Sequence, residues 1–188
     1  MVPEFSSYCE FCASLPADDP NRIYHDGEYG FPLASDAELF GRLILEINQA
    51  GLSWLTILKK QDAFVRAYDG FDVDRVAAYG KADIERLMGD AGIIRNRRKI
   101  EAAVENARRI IDMRSMYGSF KGWLDAHHPL DKAAWLLLFK RTLVFVGGEI
   151  VGEFLMSTGY LPGAHVVGCP AGLRAIECGA PWHATGRR

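Results

Sequence analysis

Four residues of the chain have the types and spacing to hold a metal ion. Cys12 and His25 stand with twelve residues between them, and His165 and Cys169 with three, in the run His-Val-Val-Gly-Cys. Two thiols and two imidazoles match the ligand mix of a closed, tetrahedral structural zinc site. The two halves lie 140 residues apart in sequence, so the same residues also fit unpaired core thiols and histidines with local hydrogen bonds. A redox role for Cys9-Glu10-Phe11-Cys12 is disfavoured, because no βαβ pattern follows it. With four protein ligands the site would staple the termini and leave no position open for catalysis.

A carboxylate is the second anomaly. Helical counting puts Glu46 on one face with Leu39, Leu43 and Ala50. A carboxylate facing the apolar side persists where it has a partner or a task. A neighbouring Arg or Lys is one explanation; the other is a pocket in which Trp54, just past Gly51, is a stacking plate and Glu46 the acceptor. Basic residues gather at Arg95, Arg97, Arg98 and Lys99, with Lys59, Lys60, Arg108 and Arg109 elsewhere. Such runs are commonly solvated faces, though a basic face also suits phosphate. The turn Phe145-Val146-Gly147-Gly148 offers backbone N–H groups at a helix N-terminus, an anion site by geometry.

These residues need helices to position them. Ser35-Asp36-Ala37-Glu38 reads as a capping box opening a helix with Leu39, Phe40, Leu43, Ile44 and Ile47 on one stripe. A second helix is expected over Lys81 to Met88. A third follows Asn96, carrying Ile100, Val104, Ala107, Ile110 and Ile111, and stops before Gly118. Trp135–Lys140, the Phe145–Gly148 turn and Glu149–Ser157 read as helix, hairpin, helix. Strand signals are weak, so the expected fold class is all-α.

The 188 residues suffice for one domain, or for two tightly packed lobes, around a real core. Apolar residues make up 49% and charged residues 24%, the balance of a soluble globular protein. No signal peptide is visible at the start, and the longest apolar candidate, Ala133–Phe139, is too short to span a bilayer. A cytoplasmic location is therefore expected, where four cysteines are unlikely disulfide partners. The net charge of −2 means that nucleic-acid binding would depend on a local basic face.

Taken in order, several blocks resemble the 3-methyladenine DNA glycosylase I family of the helix-hairpin-helix glycosylases. They are Tyr24-His25-Asp26-Gly27-Glu28-Tyr29-Gly30, Glu46-Ile47-Asn48-Gln49-Ala50-Gly51-Leu52-Ser53-Trp54 running into Leu58-Lys59-Lys60, Asp90-Ala91-Gly92-Ile93-Ile94-Arg95, Phe145-Val146-Gly147, Phe154-Leu155-Met156 and His165-Val166-Val167-Gly168-Cys169. The resemblance implies one glycosylase domain over 1–188, of two packed helical lobes, whose termini are joined by zinc on Cys12, His25, His165 and Cys169. It implies Glu46 as the carboxylate that reads the adenine edge, Trp54 as the stacking plate and Tyr24 as a pocket wall. Tyr29, Gln49, Gly51, Leu52, Gly147 and Gly148 would contact substrate or DNA, with Gly51 and Leu52 on the loop that fills the gap left by a flipped nucleotide. The implied activity is hydrolysis of the glycosidic bond of 3-methyladenine in double-stranded DNA, by a monomer with one structural zinc. Glu149 occupies the hairpin where bifunctional relatives hold a lysine, so no lyase step is expected.

The chain also departs from the family pattern. Tyr29 replaces a tryptophan. Ser14 replaces the aromatic two residues past the first ligand if that ligand is Cys12. If it is Cys9, Phe11 supplies the aromatic but the spacing to His25 is three too long; Cys12 is the expected ligand. Gly148, Glu149 and Gly152 replace polar hairpin residues, and Ala164 replaces a carboxylate that could support His165. Two competing readings build on these changes: a damaged-DNA-binding protein without glycosylase activity, and a glycosylase shifted to another alkylpurine.

Overall fold

A computed structural model of the chain describes residues 5–184. Among them are helices, one 3₁₀ turn and no strand, in agreement with the all-α expectation. The helices are α1 (Tyr8–Ala13), α2 (Pro20–Gly27), α3 (Asp36–Gln49), α4 (Trp54–Leu58), α5 (Gln61–Ala67), α6 (Val73–Ala77), α7 (Lys81–Gly89), α8 (Arg97–Tyr117), α9 (Phe120–His127), α10 (Lys132–Thr142), α11 (Gly148–Ser157), α12 (Pro170–Glu177) and α13 (Pro181–Ala184). The chain divides into two compact units. One joins residues up to Pro32 with those from Leu155 onward; the other runs from Leu33 to Phe154.

The larger unit is organised around α3 and α8. The capping box forms as expected: Glu38 N–H donates to Ser35 Oγ (3.2 Å) and Ser35 N–H to a Glu38 carboxylate oxygen (2.8 Å). From Leu39 to Asn48 every residue of α3 is buried, which exceeds a one-sided stripe and marks α3 as a central helix. Gly41 permits this, because a Cβ there would lie 2.5 Å from the Phe71 ring. The long helix α8 opens at Asn96, whose side chain accepts from Lys99 N–H, and ends at Gly118 with φ 78, a left-handed stop that glycine takes at no steric cost. It packs on α3, α6, α7 and α9. Its buried face includes Met113, while Ile111, expected inside, is exposed.

Phe120, Trp123, Trp135, Phe139 and Phe154 are buried together. Phe139 lies 5.4 Å from Trp123 and 5.6 Å from Phe154 between ring centroids. Each such ring contributes roughly 1.5–3 kcal/mol of burial, and the cluster packs α9, α10 and Phe154 of α11 together.

In the smaller unit, Ser7 caps α1 by accepting from Glu10 N–H, and Asp19 caps α2 ahead of Pro20. Helix α2 packs against α1 and α12. Helix α12 starts with Pro170 immediately after Cys169, where a missing N–H costs nothing.

Candidate functional site

The smaller unit gathers Cys9, His25, His165 and Cys169, whose ligand atoms all lie within 4.8 Å of one another. Cys9 comes from α1, His25 from α2, His165 from the loop before α12, and Cys169 caps α12. His165 Nδ1 is 3.2 Å from His25 Nε2, 3.5 Å from Cys169 Sγ and 3.7 Å from Cys9 Sγ; Cys169 Sγ is 3.6 Å from His25 Nε2. This set could hold a metal ion.

The expected ligand Cys12 is not part of it, and Cys9 takes its place. Cys12 is fully buried and its thiol donates to the Asn21 carbonyl at 3.6 Å, in the α1–α2 contact. The apparent excess of three residues disappears because they lie within a helix turn. Helical residues advance only about 1.5 Å each, against about 3.3–3.6 Å in extended chain.

Both imidazoles are oriented by an outer partner on the ring nitrogen that faces away from the cluster. The Asp26 carboxylate accepts from His25 Nδ1–H at 2.8 Å, so Nε2 is the ring nitrogen turned to the cluster. The Tyr29 carbonyl accepts from His165 Nε2–H at 2.7 Å, leaving Nδ1 as the inward atom. Such outer partners fix the tautomer a metal-binding histidine needs. The support that Ala164 cannot give thus comes from a backbone carbonyl. Burial lowers the His165 pKa, which favours the neutral ring, and raises the Cys9 thiol; burial pushes Cys12 up to about 11. Gly30 and Gly172 make room for the His165 side chain, since a Cβ would come within 3.2 Å of its ring at Gly30 and 2.8 Å of its Cβ at Gly172. An open cavity of about 700 Å³ reaches Cys9, His25 and Cys169, with Arg22, Asp26 and Arg174 on its wall.

Tyr24 and Tyr29 also belong to this unit. Tyr24 is buried, with its ring 5.5 Å from that of Tyr29. Tyr29 lies in turn 5.7 Å from the His165 ring.

The remaining expected residues belong to the larger unit. Glu46 is buried on α3 at 3% exposure, and Arg42, one turn earlier on the same helix, is buried at 5%. Trp54 opens α4, which packs on α3 and is capped by Ser53. Between the helices Gln49 ends α3, Gly51 takes φ 86, and Leu52 is exposed at 40%. An apolar side chain thus projects from a loop whose turn needs glycine. In the turn between α10 and α11, Gly147 is exposed and Gly148 begins α11. Neither glycine takes a positive φ; the left-handed residue of this turn is Phe145, at φ 58.

The basic residues are not all free at the surface. Lys59, Arg95 and Arg98 are exposed. Arg97 is also exposed and pairs with Glu85 at 2.8 Å. Lys60 donates to the Ala91 and Gly92 carbonyls, Arg108 to Ala77, and Arg109 to Glu105 and the Thr142 carbonyl. Lys99 is buried, and burial lowers its pKa. Sequence reasoning missed Arg42 and Asn106, both buried polar residues, and placed Lys99 outside. The available signal was spacing: Lys99 and Asn106 fall on the three-and-four repeat that runs through Ala103, Ile110 and Met113.

Comparison with known proteins gives the family. A family model described as methyladenine glycosylase matches residues 15–135. The DNA-3-methyladenine glycosylase 1 of Escherichia coli strain K12 is 37% identical over 179 residues, covering 85% of this chain and 95% of the relative. The DNA-3-methyladenine glycosylase of Haemophilus influenzae is 34% identical, covering 78% and 89%. The solved 3-methyladenine DNA glycosylase I of Staphylococcus aureus superposes with a TM-score of 0.75 at 33% identity, covering 88% of this chain and 97% of that one. The chain belongs to the methyladenine glycosylase family.

Proposed function

We propose that the chain is a DNA-3-methyladenine glycosylase. It hydrolyses the bond between an alkylated adenine and its sugar in duplex DNA and leaves an abasic site. The observation that carries this reading is the buried carboxylate of Glu46, one loop before Trp54, in a chain that spans nearly the whole of relatives named for that activity. An N3-alkylated adenine is cationic, so its glycosidic bond is already weak. The Glu46 carboxylate favours that cation and accepts from the adenine edge, while Trp54 stacks on the base, a cation–π contact of roughly 0.5–2 kcal/mol. The resemblance alone assigns Tyr24 and Tyr29 to base binding; Gln49, Gly51 and Leu52 fill the space the base leaves. Gly147 and Gly148 present backbone N–H groups to a phosphate. Leu52 suits the filling role because it is apolar and exposed. The enzyme is monofunctional, since Glu149 stands where a lyase would hold its lysine, and a single glycosylase domain working as a monomer belongs to the same proposal.

The metal is zinc. Bonds of about 2.3 Å to sulfur and about 2.05 Å to nitrogen at a tetrahedral centre space N···N pairs by about 3.3 Å and N···S pairs by about 3.6 Å. Four of the six separations here are 3.2 Å for N···N and 3.5–3.7 Å for N···S, and the whole set lies within 4.8 Å. Zinc bound to Cys9, His25, His165 and Cys169 would have four protein ligands, a structural role that fixes α1, α2 and the start of α12.

Single-turnover release of 3-methyladenine from methylated duplex, resolved by chromatography, tests the activity directly. Glu46→Gln keeps the shape but removes the charge and places a donor against the adenine amino group. Loss of a charged hydrogen bond costs about 1.5–3 kcal/mol, so release should slow about ten- to a hundredfold while the melting temperature holds. Normal release with a sharply lowered melting temperature would instead make Glu46 a structural partner of its surroundings, Arg42 included.

A further inference from the structure

Lys99 and Asn106 are buried polar side chains on α8 for which the reading above has no use. They stand seven residues apart on one stripe, which places them about 10.5 Å apart along the helix axis. The rest of that stripe is apolar. A buried ammonium or carboxamide is retained only with partners, and the partners of both are the backbones of two loops.

Lys99 Nζ donates to the carbonyls of Asn48 (3.0 Å) and Ala50 (2.8 Å). Helix α3 ends there. Ala50 leaves helical geometry with ψ 112, and Leu52 N–H turns to the Gln49 carbonyl at 2.7 Å, so it does not close the next helical bond to Asn48. Lys99 replaces that missing donor and sets a cation at the negative end of the helix. The loop it fixes is the one that projects Leu52.

Asn106 holds the other loop. Its Oδ1 accepts from Val144 N–H at 2.8 Å and its Nδ2 donates to the Val144 carbonyl at 3.0 Å, a pairing like that of a neighbouring strand. Val144 directly precedes Phe145, whose left-handed φ of 58 is strained for an aromatic residue and survives only where neighbours impose it. The N–H groups at the start of α11 follow within four residues.

We propose that α8 acts as a spacer, with Lys99 and Asn106 as positioning residues. They hold the Gly51–Leu52 loop and the Phe145–Gly148 hairpin at a set separation, so that gap filling and phosphate anchoring fall on one duplex in register. This inference rests on the glycosylase reading. It requires the two residues to affect different stages of one reaction, which a general loss of packing would not do.

The test measures single-turnover release of 3-methyladenine across a range of methylated duplex concentrations, together with melting temperature. Lys99→Met should lower the rate at saturating DNA by about ten- to a hundredfold, the scale of an ångström-sized misplacement, with half-saturation little changed. Lys99→Arg, which keeps a cation and donors, should recover much of that rate. Asn106→Leu should raise the half-saturating concentration about tenfold, keep the saturating rate, and reduce the log–log salt slope by about 0.9, one phosphate contact. If these variants do not fold, Lys99→Gln and Asn106→Asp keep part of the hydrogen bonding and should show the same division. Equal losses in rate and affinity for both residues, or lost stability with unchanged kinetics, overturn the spacer. A wild-type chain that releases no base overturns the glycosylase reading and the spacer with it; an active wild type with undivided variants overturns the spacer alone.

Discussion

Exchanging Cys9 and Cys12 separately for alanine distinguishes two thiols that sequence could not. Cys9 Sγ lies 3.7 Å from His165 Nδ1, within the cluster, whereas Cys12 Sγ faces the Asn21 carbonyl. Structural zinc contributes about 10–16 kcal/mol of apparent binding energy. One ligand of four therefore carries on the order of 3 kcal/mol, and Cys9→Ala should retain metal about a hundredfold less tightly. At about 2–4 °C per kcal/mol for a chain of this size, its melting temperature should fall by about 6–12 °C. Cys12→Ala removes a buried sulfur and should cost about 1–2 kcal/mol through a small cavity, with metal retention unchanged. Elemental analysis after a graded chelator challenge, with thermal denaturation of the same samples, reads both quantities. Metal lost from Cys12→Ala but kept by Cys9→Ala would refute the ligand assignment. A fully folded wild type that purifies free of metal would refute the staple itself.

DNA binding should be steeply salt-dependent, with a log–log slope of about −0.9 per phosphate contacted. Exchanging Lys59, Arg95 or Arg98 for glutamine should flatten the slope measured on an abasic-analogue duplex, and no change at any of the three would leave them as solvated surface. The capping box predicts a pH dependence of stability. The hydrogen bond from Ser35 to Glu38 holds that carboxyl below its ordinary 4.5, so its contribution is present above that value and lost as pH falls through the lowered folded one. The melting-temperature gap between wild type and Glu38→Gln should close on acidification, and a gap independent of pH would refute the assignment.

Local signals made some elements legible. Ser35 with Glu38 opens α3, and Asn96 with Gly118 brackets α8, because caps lie within a few residues of the helix they end. The helix expected over Lys81–Met88 appears as Lys81–Gly89, and Trp135–Lys140 lies inside Lys132–Thr142. The short helices α1, α4 and α6 also have capping residues, Ser7, Ser53 and Asp72, but at five or six residues they are too short to show a periodicity and depend on packing. That same dependence hid the ligand, since Cys9 looks misplaced until α1 is known to coil. Glu46 was legible as a carboxylate on an apolar face. Lys99 was not, because its partners are backbone carbonyls about fifty residues earlier in the chain.

The discontinuity of the smaller unit has a consequence for synthesis. His25 and His165 are 140 residues apart in sequence, and everything from Leu33 to Phe154 forms a unit by itself. A growing chain therefore has the whole larger unit available to fold before the second half of the ligand set is made. The N-terminal helices, though translated first, wait on Cys169 and are completed last. Closure entropy grows by only about 0.6 kcal/mol per doubling of loop length, so the delay costs little. A chain halted before residue 165 would contain the Glu46 carboxylate but only half a metal site.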